Sequence, residues 1–127
     1  MKEILFTDKA PAPVGPYSQA ILAGGFIFVS GQAALNPETK EAEHGDIKSQ
    51  TKRTLENIAA ILKAQDLTMN DVVKCTVFLT DINDFKEMNE VYGEYFAESK
   101  PARSTVEVAN LPLGFRVEIE AIALKED

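Results

Sequence analysis

Two amphipathic helical segments lie among six short strand-like segments, and this count limits the architectures open to the chain. From Asp46 to about Gln65, apolar residues recur at helical spacing, and Asp46 is a residue type that commonly caps helix N-termini. A second apolar stripe predicts a helix from about Asn83 or Asp84 to Ala97, with a proline shortly after its end. Two helices can cover only one face of a sheet. The other face must then be solvated, covered by loops, or covered by another subunit.

The strand-like segments give the element order βββαβαββ. KEILF is the first, SQAILAG and FIFVSGQ read as a hairpin across Gly24–Gly25, and VVKCTVFLT reads as a buried strand between the helices. The last two, within ARSTVEVANLPLGFRVEIEAIAL, read as a closing hairpin around a tight turn. These elements predict an α/β (α+β) fold with a mixed six-stranded sheet and two helices on one face, in one domain spanning residues 1–127.

The face without helices is not uniformly polar in this arrangement. Phe78, Ile122 and Leu124 have the parity of the charged face or an ambiguous parity. A sheet face that mixes large apolar side chains with charges favours an oligomer over a monomer.

Composition argues against several classes of function. The chain has 13 basic and 20 acidic residues and a net charge of −7, whereas non-specific nucleic-acid binding depends on basic side chains that neutralise phosphates. A single cysteine, Cys75, excludes an internal disulfide, and with the single histidine, His44, it argues against a structural zinc site. No apolar run approaches the ~20 residues of a membrane helix, and no signal-peptide pattern is visible, so we expect a cytoplasmic protein without membrane association.

Alternation in the closing hairpin brings an arginine and glutamates together. A four-residue LPLG loop would set Glu107 opposite Glu118. A two-residue loop would instead set Arg103 opposite Glu120. In either register Arg103, Thr105 and Glu118 are expected on one face, a few ångströms apart, and the sequence does not choose between the registers.

An arginine and a glutamate placed in this way suit a small organic acid as ligand. The guanidinium binds a carboxylate through two parallel hydrogen bonds, and a glutamate beside it can hold or deprotonate a water. Such a pair would clamp an α-keto, α-imino or hydroxy acid and act on the carbon next to the carboxylate. On geometry alone, an ordinary cross-strand ion pair is the more common explanation of the pattern.

Other candidate residues have a structural explanation beside the functional one. Tyr17 lies in a loop stiffened by prolines, where it could cover a ligand or anchor the packing. Ser30 and Gly31 end a strand, where the backbone could approach a ligand. Asn89 is a polar position of the second helix. Cys75, in an apolar strand, is interpreted as a core residue rather than a nucleophile.

Five stretches, which cover nearly the whole chain, resemble the RidA/YjgF family of enamine/imine deaminases. They are GPYSQA (15–20), VSGQ (29–32), DIKSQTKRTLENI (46–58), VVKCTVFLTDINDFKEMNEVYGEYF (72–96) and PARSTVEVANLPLGFRVEIEAIA (101–123). The resemblance implies a chorismate-mutase-like fold and a homotrimer with three ligand clefts between neighbouring subunits. It implies hydrolysis of reactive 2-iminobutanoate and 2-iminopropanoate to 2-keto acids and ammonia, without a cofactor or metal. These imines arise from pyridoxal-phosphate dehydratases, so the implied role is detoxification.

The resemblance also implies site residues. The arginine that binds the substrate carboxylate falls on Arg103, and the glutamate associated with the attacking water falls on Glu118. The implied substrate-binding residues are Tyr17, Ser30, Gly31, Asn89, Arg103 and Thr105. Many members have cysteine where this chain has Thr105, so a role that needs a thiol there is in doubt, although the backbone N–H can still donate. Which subunit supplies which residue stays open.

Two other functions stay open at this point. The same cleft could bind a keto acid without catalysis, so that a regulatory trimer reports the metabolite to a partner. A ribonuclease or translation inhibitor, a label attached to some relatives, is opposed by the acidic balance and by the single histidine, which cannot form a two-histidine acid–base pair. The preferred imine cannot be read from the sequence.

Overall fold

The structure, a computed structural model, describes residues 1–125 and confirms the predicted order of elements. Six strands form one sheet: β1 (Glu3–Leu5), β2 (Ala20–Ala23), β3 (Phe26–Gln32), β4 (Val72–Leu79), β5 (Ala102–Glu107) and β6 (Val117–Leu124). The two helices are α1 (Ile47–Lys63) and α2 (Phe85–Phe96), and each begins and ends within two residues of its predicted bounds. Neither helix of the described chain is long and apolar enough to cross a membrane.

The strand order across the sheet is β1-β2-β3-β6-β4-β5. The β2–β3 hairpin forms as predicted, and Gly24 and Gly25 take the positive φ angles (59° and 83°) that its tight turn requires. The predicted closing hairpin is wrong. β5 pairs in parallel with β4, and β6 pairs antiparallel with the other edge of β4, so β4 separates the last two strands.

The parallel pairing of β4 and β5 follows from the helix between them. Two parallel neighbours need a crossover connection of a dozen or more residues, and α2 with its flanking turns supplies it. Across this sheet Thr105 lies opposite Val77, and Glu118 lies opposite Phe78. Both hairpin registers considered from the sequence are therefore wrong, because local alternation does not specify which strand lies beside which.

The two helices pack against each other and cover one face of the sheet. They are joined at their solvent side by an ion pair between Lys48 and Glu90 at 2.8 Å. The core lies between them and the sheet, where Ile58, Val77 and Ile119 have no exposed surface. This arrangement confirms that a single face of the sheet is covered by helices.

The face away from the helices carries large apolar side chains beside polar ones. Phe28 is 45% exposed and stands in register with Ile122 of β6. Val106, expected on the core side, instead lies on this face and is 43% exposed, because the parity of β5 is opposite to the predicted one. Phe78 and Glu118 are cross-strand partners on the same face, which confirms its mixed character.

Two polar side chains hold α1, one at its N-terminus and one in its C-terminal half. Asp46 caps the helix as predicted, since its carboxylate accepts the Ser49 backbone N–H at 2.8 Å. Asn57, which is fully buried, donates from Nδ2 to the carbonyls of Ala33 (3.0 Å) and Leu35 (2.9 Å). These two bonds tie the loop that follows β3 to the helix.

Replacing Asn57 with alanine is expected to lower the free energy of unfolding by about 2–4 kcal/mol, because the carbonyls of Ala33 and Leu35 lose the Asn57 amide and the buried side chain leaves a cavity. Urea denaturation followed by circular dichroism measures the change. Lys52→Ala, at an exposed position of the same helix, is the control and should change stability by less than about 0.5 kcal/mol. Equal effects of the two substitutions would contradict the assigned role of Asn57.

Candidate active site

The site residues expected from the sequence form two separate groups in the protomer. The first group combines one face of α2 with β5: the expected residues Asn89, Arg103 and Thr105, joined by Phe85 and Tyr92, whose rings contact Arg103. This group is called the arginine half. The second group combines the loop before β2, the end of β3 and the start of β6 and is called the glutamate half: Tyr17, Ser30, Gly31 and Glu118.

In the arginine half, the guanidinium of Arg103 lies against α2. Its Nη1 donates to Asn89 Oδ1 at 2.6 Å. Its Cζ atom is 4.7 Å from the centroid of the Tyr92 ring and 5.3 Å from that of Phe85. Within residues 1–125 no carboxylate is within ion-pair distance of Arg103. A cross-strand ion pair, the ordinary explanation of the arginine and glutamate pattern in the sequence, therefore does not form there. The positive charge of Arg103 faces neutral groups instead.

A second arginine near the sheet provides a contrast. Arg116 is bound by Asp84, with Nη2 to Oδ1 at 2.7 Å and Nε to Oδ2 at 3.2 Å. Its backbone N–H is accepted by the Gln50 side chain at 2.9 Å. Arg116 is thus compensated by a buried carboxylate and has a structural role.

The strand positions beside Arg103 are apolar or weakly polar. Cys75 lies opposite Arg103 across β4–β5 and is fully buried, and burial raises the pKa of its thiol to about 11. At neutral pH it is a protonated core residue, as predicted. Thr105 faces the same side of β5, and its Oγ1 is buried with no hydrogen-bond partner in the described part of the chain.

In the glutamate half, the Glu118 carboxylate lies directly over Gly31. A Cβ atom at position 31 would stand 2.5 Å from Oε2 and 2.9 Å from Cδ of Glu118, so a larger residue there would displace the carboxylate end of this side chain. Burial raises the pKa of Glu118, and the neighbouring Glu120 carboxylate acts in the same direction. A carboxyl group with a raised pKa is better matched to proton transfer near neutral pH.

A cleft of about 340 Å³ opens beside this carboxylate. Tyr17, Gly31 and Glu118 contribute to its lining, and its walls are mainly apolar, with Leu113 and Phe115 on one side. The cleft therefore offers one carboxylate, one phenol and the amides of Gln19 and Gln32 in otherwise apolar surroundings. No cluster of His, Cys, Asp and Glu suited to a metal ion occurs in residues 1–125.

The loop that carries Tyr17 is held by buried hydrogen bonds. Gln19 donates from Nε2 to three backbone carbonyls of residues 7–11 and accepts the Thr7 N–H at 2.8 Å. The Ser30 hydroxyl donates to the carbonyl of Ser18 at 2.6 Å. Ser30, expected to contact a ligand, thus uses its hydroxyl to hold this loop, and Gln19 is a supporting residue that the sequence did not predict.

The two halves lie on opposite faces of the sheet. Arg103 is in register with the core-facing Cys75, whereas Glu118 is in register with Phe78 on the face without helices. The prediction that Arg103, Thr105 and Glu118 share one face is wrong, because it required β5 and β6 to be neighbours. A single protomer cannot hold a small acid between Arg103 and Glu118.

The contact of Phe85 and Tyr92 with Arg103 was not predicted either. Both belong to the apolar stripe of α2 and were assigned to the core. The signal in the sequence is Asn89, which lies four residues after Phe85 and three before Tyr92, on the same helix face. A polar residue within an apolar stripe indicates that a polar group packs against it.

Comparison with known proteins gives a consistent result. The profile of the endoribonuclease L-PSP family matches residues 7–125. A RutC family protein of Pyrococcus abyssi is 62% identical over 98% of this chain and 98% of its own length. A protein of Bos taurus named 2-iminobutanoate/2-iminopropanoate deaminase is 48% identical over 98% of this chain and 91% of its own length.

A solved structure shares the fold. Escherichia coli TdcF with bound serine superimposes with a TM-score of 0.91 at 43% identity, covering 98% of this chain and 99% of that chain. The six-stranded sheet and the two helices therefore form a known α+β fold.

Glu118→Gln is expected to stabilise the folded protein at neutral pH but not in acid. The folded-state pKa of Glu118 is raised above its ordinary value of 4.5, so ionisation destabilises the fold above the folded-state pKa. This cost disappears at lower pH, where the carboxyl is protonated in both the folded and the unfolded state. Thermal unfolding should therefore give a higher Tm for the variant than for wild type at about pH 8 and equal values at about pH 4.

Glu87→Gln, at an exposed position of α2, serves as the control for a general charge effect. A stability gain for Glu118→Gln that grows as the pH falls would have the wrong sign and would contradict the assignment.

Proposed function

Because the chain belongs to the endoribonuclease L-PSP family, which includes the RidA/YjgF proteins, we propose that it hydrolyses reactive 2-imino acids. The products are 2-keto acids and ammonia, and the substrates are 2-iminobutanoate and 2-iminopropanoate. The observation that carries this proposal is Arg103, a guanidinium with neutral neighbours that suits the carboxylate of a small acid. The 48% identical relative named for this activity supports it, while the 62% identical relative carries only a family name.

We further propose that the arginine half of one subunit meets the glutamate half of the next in a homotrimer. β5 is an edge strand, so the arginine half lies at the rim of the sheet. The exposed apolar side chains of the face without helices, Phe28 and Val106 among them, support burial against another copy. A contact between two different surfaces of identical chains gives a ring when its rotation closes, and the resemblance suggests a ring of three.

Substrate binding in this proposal begins with the carboxylate. It forms two charge-assisted hydrogen bonds with Arg103, whose position Asn89 maintains through its accepted hydrogen bond. The backbone N–H near Thr105 and the unpartnered Thr105 hydroxyl are further donors beside that site. The short apolar side chain of the substrate then lies against the apolar walls of the cleft in the neighbouring subunit.

The chemical step needs only a water and a carboxylate. Glu118 accepts a proton from the water as its oxygen bonds to the imine carbon, and the C=N electron pair moves to nitrogen to give a carbinolamine. Transfer of the proton from Glu118 to nitrogen makes ammonia a leaving group. The C–N bond breaks as the hydroxyl proton passes to the Glu118 carboxylate, and ammonia and the 2-keto acid are released. Tyr17 closes the cleft over the reacting carbon.

The raised pKa of Glu118 fits both transfers, because the group must accept and then return a proton near neutral pH. No redox or group-transfer partner is required, since the iminium carbon is already electrophilic. A detoxifying role in the cytoplasm belongs to the same proposal, and a one-domain organisation stays a prediction.

Coupling the protein to a threonine dehydratase and following 2-ketobutyrate formation tests the activity. Arg103→Ala should lower kcat/KM by about 10- to 100-fold, the loss expected for a charge-assisted contact. Glu118→Gln should lower kcat by about 100-fold or more. Tight 2-ketobutyrate binding by wild type without any acceleration would indicate a metabolite sensor instead.

A mixing experiment tests whether the two halves come from different subunits. Arg103→Ala and Glu118→Gln chains, each expected to keep at most about a tenth of wild-type activity alone, are unfolded together and refolded as mixed oligomers, with the oligomer mass checked by light scattering. In a 1:1 mixture about a quarter of the clefts hold an intact arginine half and an intact glutamate half, so about a quarter of wild-type activity should return. If activity does not return while mixed oligomers form, the shared cleft is wrong.

A further inference from the structure

The arginine half contains two aromatic residues, Phe85 and Tyr92, that take no part in the proposed chemical step. Phe85, Asn89 and Tyr92 follow one another on one face of α2 at spacings of four and three residues. All three contact the guanidinium of Arg103: Asn89 by a hydrogen bond, and the two rings by their faces. The Tyr92 ring is the nearer, with 4.7 Å between the Arg103 Cζ and the ring centroid.

Tyr92 is fixed by core packing, whereas Arg103 lies on an edge strand of the sheet. It is 6% exposed, and its ring packs against Phe96 with 4.6 Å between centroids. On the sheet side its hydroxyl lies near the Cys75 thiol, and within residues 1–125 it has no hydrogen-bond partner. The side chain therefore has no polar bond of its own that explains a tyrosine here, and its ring face is what Arg103 meets.

The electrostatic environment of the Arg103 guanidinium differs from that of an arginine in an ion pair. A carboxylate at this point would orient the guanidinium but would also neutralise it, as Asp84 does for Arg116. An aromatic face and an amide oxygen attract the guanidinium without cancelling its charge. Restricting the arginine before the ligand arrives lowers the conformational entropy that binding would otherwise cost.

We propose that Tyr92 is a positioning residue, whose ring sets the plane of the Arg103 guanidinium so that its free N–H edge is presented to the substrate carboxylate. This inference rests on the proposed function. The ring acts through Arg103 and touches no reacting atom. The hydroxyl is dispensable in this role, because a phenyl ring has the same attractive face.

Two substitutions separate the ring from the hydroxyl. Tyr92→Leu should raise the Kd for 2-ketobutyrate, measured by calorimetry, and the KM for the imine by about 5- to 30-fold, corresponding to about 1–2 kcal/mol. The effect on kcat should be small, because the carboxylate is bound alike in the ground state and the transition state. Tyr92→Phe should keep Kd and KM within about 2-fold of wild type and leave Tm unchanged or higher, since a buried unpaired hydroxyl is removed.

A structural role of Tyr92 is distinguished by matched controls. Tyr95→Leu removes a tyrosine of the same helix that bonds Glu56 on α1, and it should lower Tm while Kd stays unchanged. Tyr92→Met fills more of the space than leucine and should show the same rise in Kd if Tyr92→Leu fails to fold. Unchanged Kd in a folded Tyr92→Leu or Tyr92→Met variant overturns the inference.

A double-mutant cycle shows whether Tyr92 acts through Arg103. In an Arg103→Ala background, Tyr92→Leu should cause no further loss of 2-ketobutyrate binding, whereas an additive loss overturns the positioning role. The same data separate this inference from the proposed function. If Arg103→Ala weakens binding and Tyr92→Leu does not, the inference alone fails; if Arg103→Ala binds as wild type does, the proposed function fails.

Discussion

The crossover from β4 through α2 to β5 decides how the rest of the molecule is arranged. It makes β4 and β5 parallel neighbours, and β6 then pairs with the opposite edge of β4. Since α2 packs beside α1, one face of the sheet is covered and the other is left with exposed apolar groups such as Phe28. The same crossover brings Arg103 under α2, where its guanidinium donates a hydrogen bond to Asn89 and packs on the ring of Tyr92.

The separation of Arg103 and Glu118 within the protomer has an electrostatic consequence. If the two side chains shared a face, they could form an ion pair, which would lower the pKa of Glu118 and neutralise the arginine. Instead the carboxyl is half-buried beside Glu120 and its pKa is raised, while the guanidinium faces an amide and two rings. Each group therefore keeps the property that imine hydrolysis needs, and in the proposed trimer they act together across a subunit boundary.

Close packing and backbone hydrogen bonds support the glutamate half. Gly31 leaves room for the Glu118 carboxylate, because a Cβ atom at position 31 would stand 2.5 Å from Oε2 of that side chain. Gln19 and Ser30 hold the loop that carries Tyr17 through hydrogen bonds to its backbone. Packing and backbone hydrogen bonds thus account for the residue types at these positions, while ligand contact by Ser30 and Gly31 stays a prediction.

The sequence by itself determined the elements and much of the core. Helical spacing predicted α1 and α2 to within two residues, because it depends on contacts near in the chain. The residue type of Asp46 predicted the α1 cap, and the apolar strand around Cys75 predicted that this residue is buried. The identities of the site residues came from resemblance, and the alternation argument that placed Arg103 beside Glu118 was wrong. Only the tertiary structure decided that β4 lies between β5 and β6, since strand pairing depends on contacts distant in sequence, and a period of two carries no information about which strand is the neighbour.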